Sequence, residues 1–259
     1  MGAGHTHPLY VHEHSRVHHL PSEVKLVAVF AFAIMVATTP RDDVVAFAGL
    51  ALALAVATRA ARVRARFLLV RLAVVTPFLL AALLLPFVAS GPRVSVLGMS
   101  LAVEGLWGGF GMASRALLGA GASLLLVATT EVPDLLRGLE RLRVPPLLTQ
   151  IASFMIRYLE VVAGEVSRQR RAMTARGFDP RWLWQLGPIA SGLGVLFIRS
   201  YERGERIHDA MRARGFVGTL PEIGHRHAPV ASDWAYALAL PAAGGLARLA
   251  GAIVGGSAA

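Results

Sequence analysis

The chain has 259 residues, 55% of them hydrophobic, and a mean hydropathy of +0.56, yet its formal net charge is +10 and its pI about 11.3. A composition this apolar belongs with membrane proteins rather than ordinary soluble domains. The lack of cysteine excludes a disulfide framework, a thiol nucleophile and cysteine-ligated metal, and without zinc-finger or RNP-like spacing the arginines do not read as a nucleic-acid surface.

Residues 1–19 form a polar arm carrying His5, His7, His12, His14, His18 and His19. Two His-x-His pairs suit a borderline divalent ion, which makes His5, His7, His12 and His14 metal candidates. The plain alternative is a flexible polar arm with incidental histidines. No basic stretch leads into a short apolar run with a small-residue cleavage site, so no cleaved signal peptide is expected.

Residues 20–131 hold four expected membrane spans. Leu20-Pro21-Ser22-Glu23 resembles a helix start, 24–39 and 44–58 are apolar, and Pro40-Arg41-Asp42-Asp43 turns between them. Arg59, Arg62, Arg64 and Arg66 follow the second span, whereas Arg41 in the preceding turn is balanced by two aspartates. The positive-inside rule then puts the N-terminus and the 59–66 loop in the cytoplasm. A third span covers 67–89, with Pro77 and Pro86 as expected kinks, and an outer loop over 90–103 turns at Gly91-Pro92. In the fourth span, 105–130, small residues including Gly105, Gly109 and Gly111 favour close helix approach. Arg115 lies in that span. Either it meets protein, water or a carboxylate, with Glu104 the nearest acid, or the helix starts later and Arg115 sits at the interface.

From 132 to 232 the character changes, because arginines and most of the chain's acids interleave. Ile151, Phe154, Met155, Tyr158, Leu159, Val162 and Val166 keep a helical period, which predicts an amphipathic helix and not a span. The apolar stretch 182–198 is laid along the membrane or against the other spans, since a lone crossing would separate the two motifs described next. A last span over 234–254, within the segment 233–259, puts the C-terminus outside.

One phrase occurs twice: Ala-Met-x-Ala-Arg-Gly-Phe at 172–178 and at 210–216. Ala, Met and Ala favour helix, Gly177 and Gly215 sit where a left-handed residue would stop it, and Phe178 and Phe216 follow as apolar clasps. Arg176 and Arg214 are then held in the last turn, where a cation is favoured and its planar fork can grip a carboxylate. Two ordinary solvated helix ends are the bland alternative, weakened by repetition of Met173 and Met211 as well.

This double Ala175-Arg176-Gly177 and Ala213-Arg214-Gly215 signature, on helices flanked by hydrophobic spans, resembles the transmembrane T component of energy-coupling factor transporters. Ser15 to Leu26, Thr129-Thr130, Leu135 to Leu142, Arg143-Val144-Pro145 and Arg157-Tyr158 agree with it, and the histidine-rich arm is similar to the cobalt branch, the CbiQ type. The resemblance implies an all-α polytopic membrane protein with about five transmembrane helices and a cytoplasmic coupling-helix region. It implies a non-catalytic scaffold of a bacterial inner-membrane importer, joining two cytoplasmic ABC ATPase subunits to a metal-binding membrane subunit, with a small accessory membrane subunit. Arg176 and Arg214 would seat in grooves of the ATPases, with Met173, Met211, Phe178 and Phe216 as apolar surroundings. ATP and Mg would lie on the ATPases and no cofactor on this chain. Cobalt is the implied cargo; nickel or a vitamin is the alternative. A histidine-metal membrane enzyme and an ATP-independent permease rank lower, because the spans offer almost no acids or histidines and no paired broken helices.

Overall fold

The computed structural model describes residues 15–96, 99–178, 182–218 and 229–256, so the candidates His5, His7, His12 and His14 lie outside the described residues. The chain divides into two compact units, Met1–Leu142 with Arg226–Ala259, and Arg143–His225.

The first unit contains α1 (Arg16–His19), α2 (Ser22–Thr38), α3 (Val44–Ala60), α4 (Ala65–Arg71), α5 (Thr76–Val88), α6 (Val103–Thr129), α7 (Val132–Arg141) and α10 (Ala231–Gly256). Its elements end where local chemistry stops them. Asp43 caps α3 by accepting from the Ala46 N–H at 2.9 Å. Between α4 and α5 the turn Leu72–Val75 is 3-10. Pro77 has no N–H to offer the Ala73 carbonyl four residues back, and the Thr76 hydroxyl donates to that oxygen at 2.6 Å. The expected kink therefore falls just before Pro77. The 90–103 loop holds a feature missed in the sequence: β1 (Arg93–Val96) and β2 (Met99–Ala102) pair as an antiparallel hairpin. Strands this short, between two long apolar runs, leave too little alternation to register.

Packing orders the helices. Trp234 and Ala237 of α10 cluster with Leu20, Val24 and Ala28, while Arg248 Nη1 donates to Thr38 Oγ1 at 3.1 Å, so α10 runs parallel to α2. Phe32, Val36, Phe47, Leu50, Leu118 and Ala122 form the central cluster of α2, α3 and α6. Helices α2 and α3 have 17 residues each, about 25 Å, somewhat short of a hydrocarbon core of about 30 Å. Length and composition alone mark Arg66–Val88, Val103–Thr129 and Pro146–Ala175 as able to cross a membrane, among the described residues. The first two coincide with expected spans.

Lys25, the only lysine in the chain, is 5% exposed and joins three segments. Its ammonium donates to the Thr129 carbonyl at 2.9 Å, to Thr130 Oγ1 at 3.3 Å and to the His18 carbonyl at 3.2 Å. It thereby satisfies a carbonyl that the end of α6 leaves without a helical partner. Helix α7, which the sequence groups with 132–232, belongs to this first unit. Arg141 pairs with the buried Glu23 at 2.9 Å, and a Cβ on Gly138 would lie 2.9 Å from Ser22 Oγ.

The second unit is a helix pair, α8 (Pro146–Ala175) and α9 (Gly187–Ala213), with a 3-10 turn at Leu183–Leu186. Pro188 opens α9 in its first turn, where its missing N–H costs nothing, so the awkward stretch 182–198 is the turn and first half of α9.

Candidate functional site

Each repeat closes its helix with the same hydrogen bonds. At the end of α8, the Phe178 N–H donates to the Met173 carbonyl at 3.1 Å and Gly177 N–H to Thr174 at 2.9 Å, with Gly177 at φ 76°. At the end of α9, Phe216 N–H donates to Met211 at 3.0 Å and Gly215 N–H to Arg212 at 3.0 Å, with Gly215 at φ 85°. Both are Schellman caps, a motif that pairs an apolar residue three positions before the cap with one two positions after it. Met173 with Phe178 and Met211 with Phe216 occupy those two positions. The cap thus accounts for the glycine, the methionine and the phenylalanine of the phrase, and leaves one residue over. That residue is the arginine.

Arg176 and Arg214 occupy the capping position itself, at φ −90° and −97°. Both are exposed, and neither side chain bonds to a described residue. Among the described residues nothing uses these guanidinium groups, so two rigid helix ends present two free forks.

The unit's internal contacts place the forks far apart. A Cβ on Gly192 would lie 3.0 Å from Met173 Cε, and Arg199 pairs with Glu165 at 2.6 Å, so α8 and α9 run antiparallel. Further along, Phe154, Tyr158 and Val162 share a cavity of about 300 Å³ with Arg203, Ile207 and Met211. Arg176 and Arg214 are therefore at opposite ends of the pair, on the order of 40 Å apart at about 1.5 Å per residue.

Glu165 clamps the pair. Its carboxylate accepts from Arg168 at 2.6 Å and from Arg199 at 2.6 Å, with 15% of its side chain exposed. The Arg168 guanidinium, then that of Arg199, holds the carboxyl below its usual range. A lowered folded value means the stabilisation is complete above the ordinary carboxylate range and fades as pH falls through the depressed one. The expected result is that wild type melts above Glu165→Gln near pH 7 and that this gap closes below about pH 4 in paired thermal melts. A gap unchanged by acid would show the clamp to be idle.

Arg115 belongs to the first unit. Helix α6 begins at Val103, not later, and Arg115 Nη2 donates to the Thr39 carbonyl at the end of α2 at 2.7 Å. Its partner is thus a helix-end carbonyl, while Glu104 packs beside Gly91. Its Nε is buried without a hydrogen-bond partner among the described residues. No group of three or more histidine or acidic residues suited to a metal occurs among the described residues. Sequence reasoning missed Glu165 and Lys25 as organising residues. For Glu165 the signal was the i, i+3 spacing to Arg168; the link to Arg199 had none.

These features define a polytopic helical membrane protein with a helix pair that displays two unpaired arginines. The chain matches the family described as CbiQ, cobalt transport protein, over residues 13–225. It is 31% identical over 166 residues to the cobalt transport protein CbiQ of Rhodobacter capsulatus, covering 62% of this chain and 67% of that one. It is 30% identical over 224 residues to the energy-coupling factor transporter transmembrane protein EcfT of Bacillus selenitireducens, covering 81% and 82%. A protein named as a fused cobalt transport protein, CbiMQ, from Methanocorpusculum labreanum is 32% identical over 111 residues, which is 42% of this chain and 18% of that longer one. The chain belongs to the CbiQ cobalt transport family and is an energy-coupling factor transporter T component of that type.

Proposed function

We propose that this T component is a non-catalytic scaffold that docks two cytoplasmic ATPase subunits through Arg176 and Arg214 and passes their motion to a substrate-binding membrane subunit, importing cobalt. The observation that carries this reading is the pair of identical caps, each with a fork that its own unit leaves unbonded. Two equal pegs about 40 Å apart suit two copies of one socket better than a single ligand. The chain has no Gly-x-x-x-x-Gly-Lys-Ser/Thr loop, so ATP and Mg belong on the partners. When the ATPases close on ATP, α8 and α9 move as rigid levers, because the Schellman caps and the Glu165 clamp keep the forks aligned with the helix axes. A small accessory membrane subunit completes the proposed importer.

The orientation follows from charge. Arg59, Arg62, Arg64 and Arg66 outweigh the 40–43 turn, which favours a cytoplasmic N-terminus in the bacterial inner membrane. Helix α8 is long enough to cross, but Arg157, Glu160, Glu165, Arg168, Arg170 and Arg171 lie along it, and α9 carries a similar load. Charges from Arg157 onward in α8 and from Arg199 onward in α9 leave neither helix a charge-free run long enough to cross, so the pair lies at the cytoplasmic face with both caps in water.

Single-cysteine labelling tests this arrangement. Arg176→Cys and Arg214→Cys should both react with a membrane-impermeant maleimide in inside-out vesicles and neither in right-side-out vesicles. Labelling of the two from opposite sides would end the coupling reading. Cobalt uptake by the assembled transporter, with nickel as competitor, tests the cargo separately: uptake indifferent to cobalt removes that assignment and leaves the scaffold role standing.

A further inference from the structure

The first unit contains an apolar groove of about 500 Å³ that neither the scaffold reading nor the caps use. Leu52, Ala53, Val56 and Ala57 of α3 form one wall and Tyr236 and Leu240 of α10 line it opposite. On α3 the lining runs from Gly49 to Ala60, about 16 Å at 1.5 Å per residue, close to half the thickness of a hydrocarbon core. Lys25 and Thr129 reach its inner end, where the lysine ammonium is already committed to helix-end carbonyls. Leu52 and Val56 are 67% and 60% exposed. In a bilayer such a slot, open along one leaflet, fits an acyl chain.

At its inner end four arginines stand on the α3 side, while Glu131 follows the lining Thr129 by two residues and Asp233 precedes the lining Tyr236 by three. Arg59, Arg62, Arg64 and Arg66 follow directly on from the α3 wall, all are exposed, and none of their side chains has a partner among the described residues. No acidic residue occurs between positions 44 and 103. The backbone adds an independent observation. Helix α3 ends in the same cap as the two repeats, with Val63 N–H donating to Thr58 at 3.3 Å and Arg62 N–H to Arg59 at 3.0 Å. Here, however, Arg62 rather than glycine takes the left-handed position, at φ 56°. A residue with a Cβ is disfavoured there by about 1–2 kcal/mol. Arg143 shows the same conformation, at φ 64° after α7. Arg62 thus takes a position where glycine would be cheaper, two residues beyond Ala60, the last α3 residue lining the slot.

We infer that this groove is a binding site for one anionic phospholipid, its acyl chain lying between α3 and α10 and its phosphate held by Arg59, Arg62 and Arg64. Tyr236, 43% exposed at the same end, is suited to the headgroup boundary. The site is independent of ATPase docking, so either can fail without the other.

Native mass spectrometry of the delipidated full chain, resupplied with phosphatidylglycerol or phosphatidylcholine, tests the site. Wild type should retain phosphatidylglycerol preferentially. Arg59→Gln with Arg62→Gly and Arg64→Gln should lower that preference about tenfold or more. Arg62→Gly relieves the backbone as it removes the charge, so the loss does not come from unfolding. Val56→Trp, on an exposed wall position, should reduce retention of both lipids by filling the slot. Equal retention of the two lipids by wild type, a preference that survives the triple substitution, or a groove filled by a partner's helix in the assembled transporter would each overturn the assignment.

Discussion

Reversing both forks, Arg176→Glu with Arg214→Glu, should abolish co-purification of the ATPase subunits and stop metal uptake, while membrane insertion and helix content stay normal. Each arginine is exposed and unbonded within its unit, so its removal breaks nothing inside the chain. In a complex the same group would be desolvated against an acceptor, and removing one partner of such a pair costs about 3–5 kcal/mol. That is roughly two to four orders of magnitude in affinity per site. Reversal adds repulsion to the loss. A single Arg176→Glu substitution should leave one socket engaged and a weakened complex, which pull-down at graded salt would resolve. Full assembly and uptake in the double variant would reduce both caps to ordinary helix ends.

Gly109→Leu should separate α5 from α6 and lower stability by about 3 kcal/mol or more. A Cβ at Gly109 would press into the Ala82 carbonyl oxygen, and one at Gly105 would sit 2.6 Å from the Leu85 oxygen and 2.7 Å from Pro86 Cα. The obstacles are backbone atoms, which cannot rotate aside as a side chain can. Lipid supplies no hydrophobic drive to press helices together, so their association rests on this close approach. Gly119→Leu is the matched control, because a Cβ there meets nothing within 4 Å. Thermal melts in detergent, supported by cysteine cross-linking of α5 to α6, should show the first variant falling and the second near wild type. Equal behaviour of the two would mean that glycine content, not contact, governs this face.

The two helix caps were legible before any coordinates because every atom involved lies within six residues. Methionine, arginine, glycine and phenylalanine at fixed offsets specify a Schellman end with no help from the rest of the chain. Membrane class followed from composition, and the arginine-rich 59–66 loop suggested its own side of the bilayer. The hairpin over 93–102 escaped notice because four-residue strands carry too little pattern.

Other assignments depended on residues that are distant along the chain. Arg115 pointed in the sequence toward Glu104, the nearest acid, yet it meets the Thr39 carbonyl, 76 positions away. Lys25 ties α1, α2 and the end of α6 together, with Thr129 lying 104 positions on. Composition and short-range periodicity therefore determined what each helix is and what its ends display. Tertiary structure alone decided which glycines must stay bare, which carbonyls Lys25 and Arg115 satisfy and how the two forks are spaced, because close approach and hydrogen bonding depend on neighbours in space that no local repeat encodes.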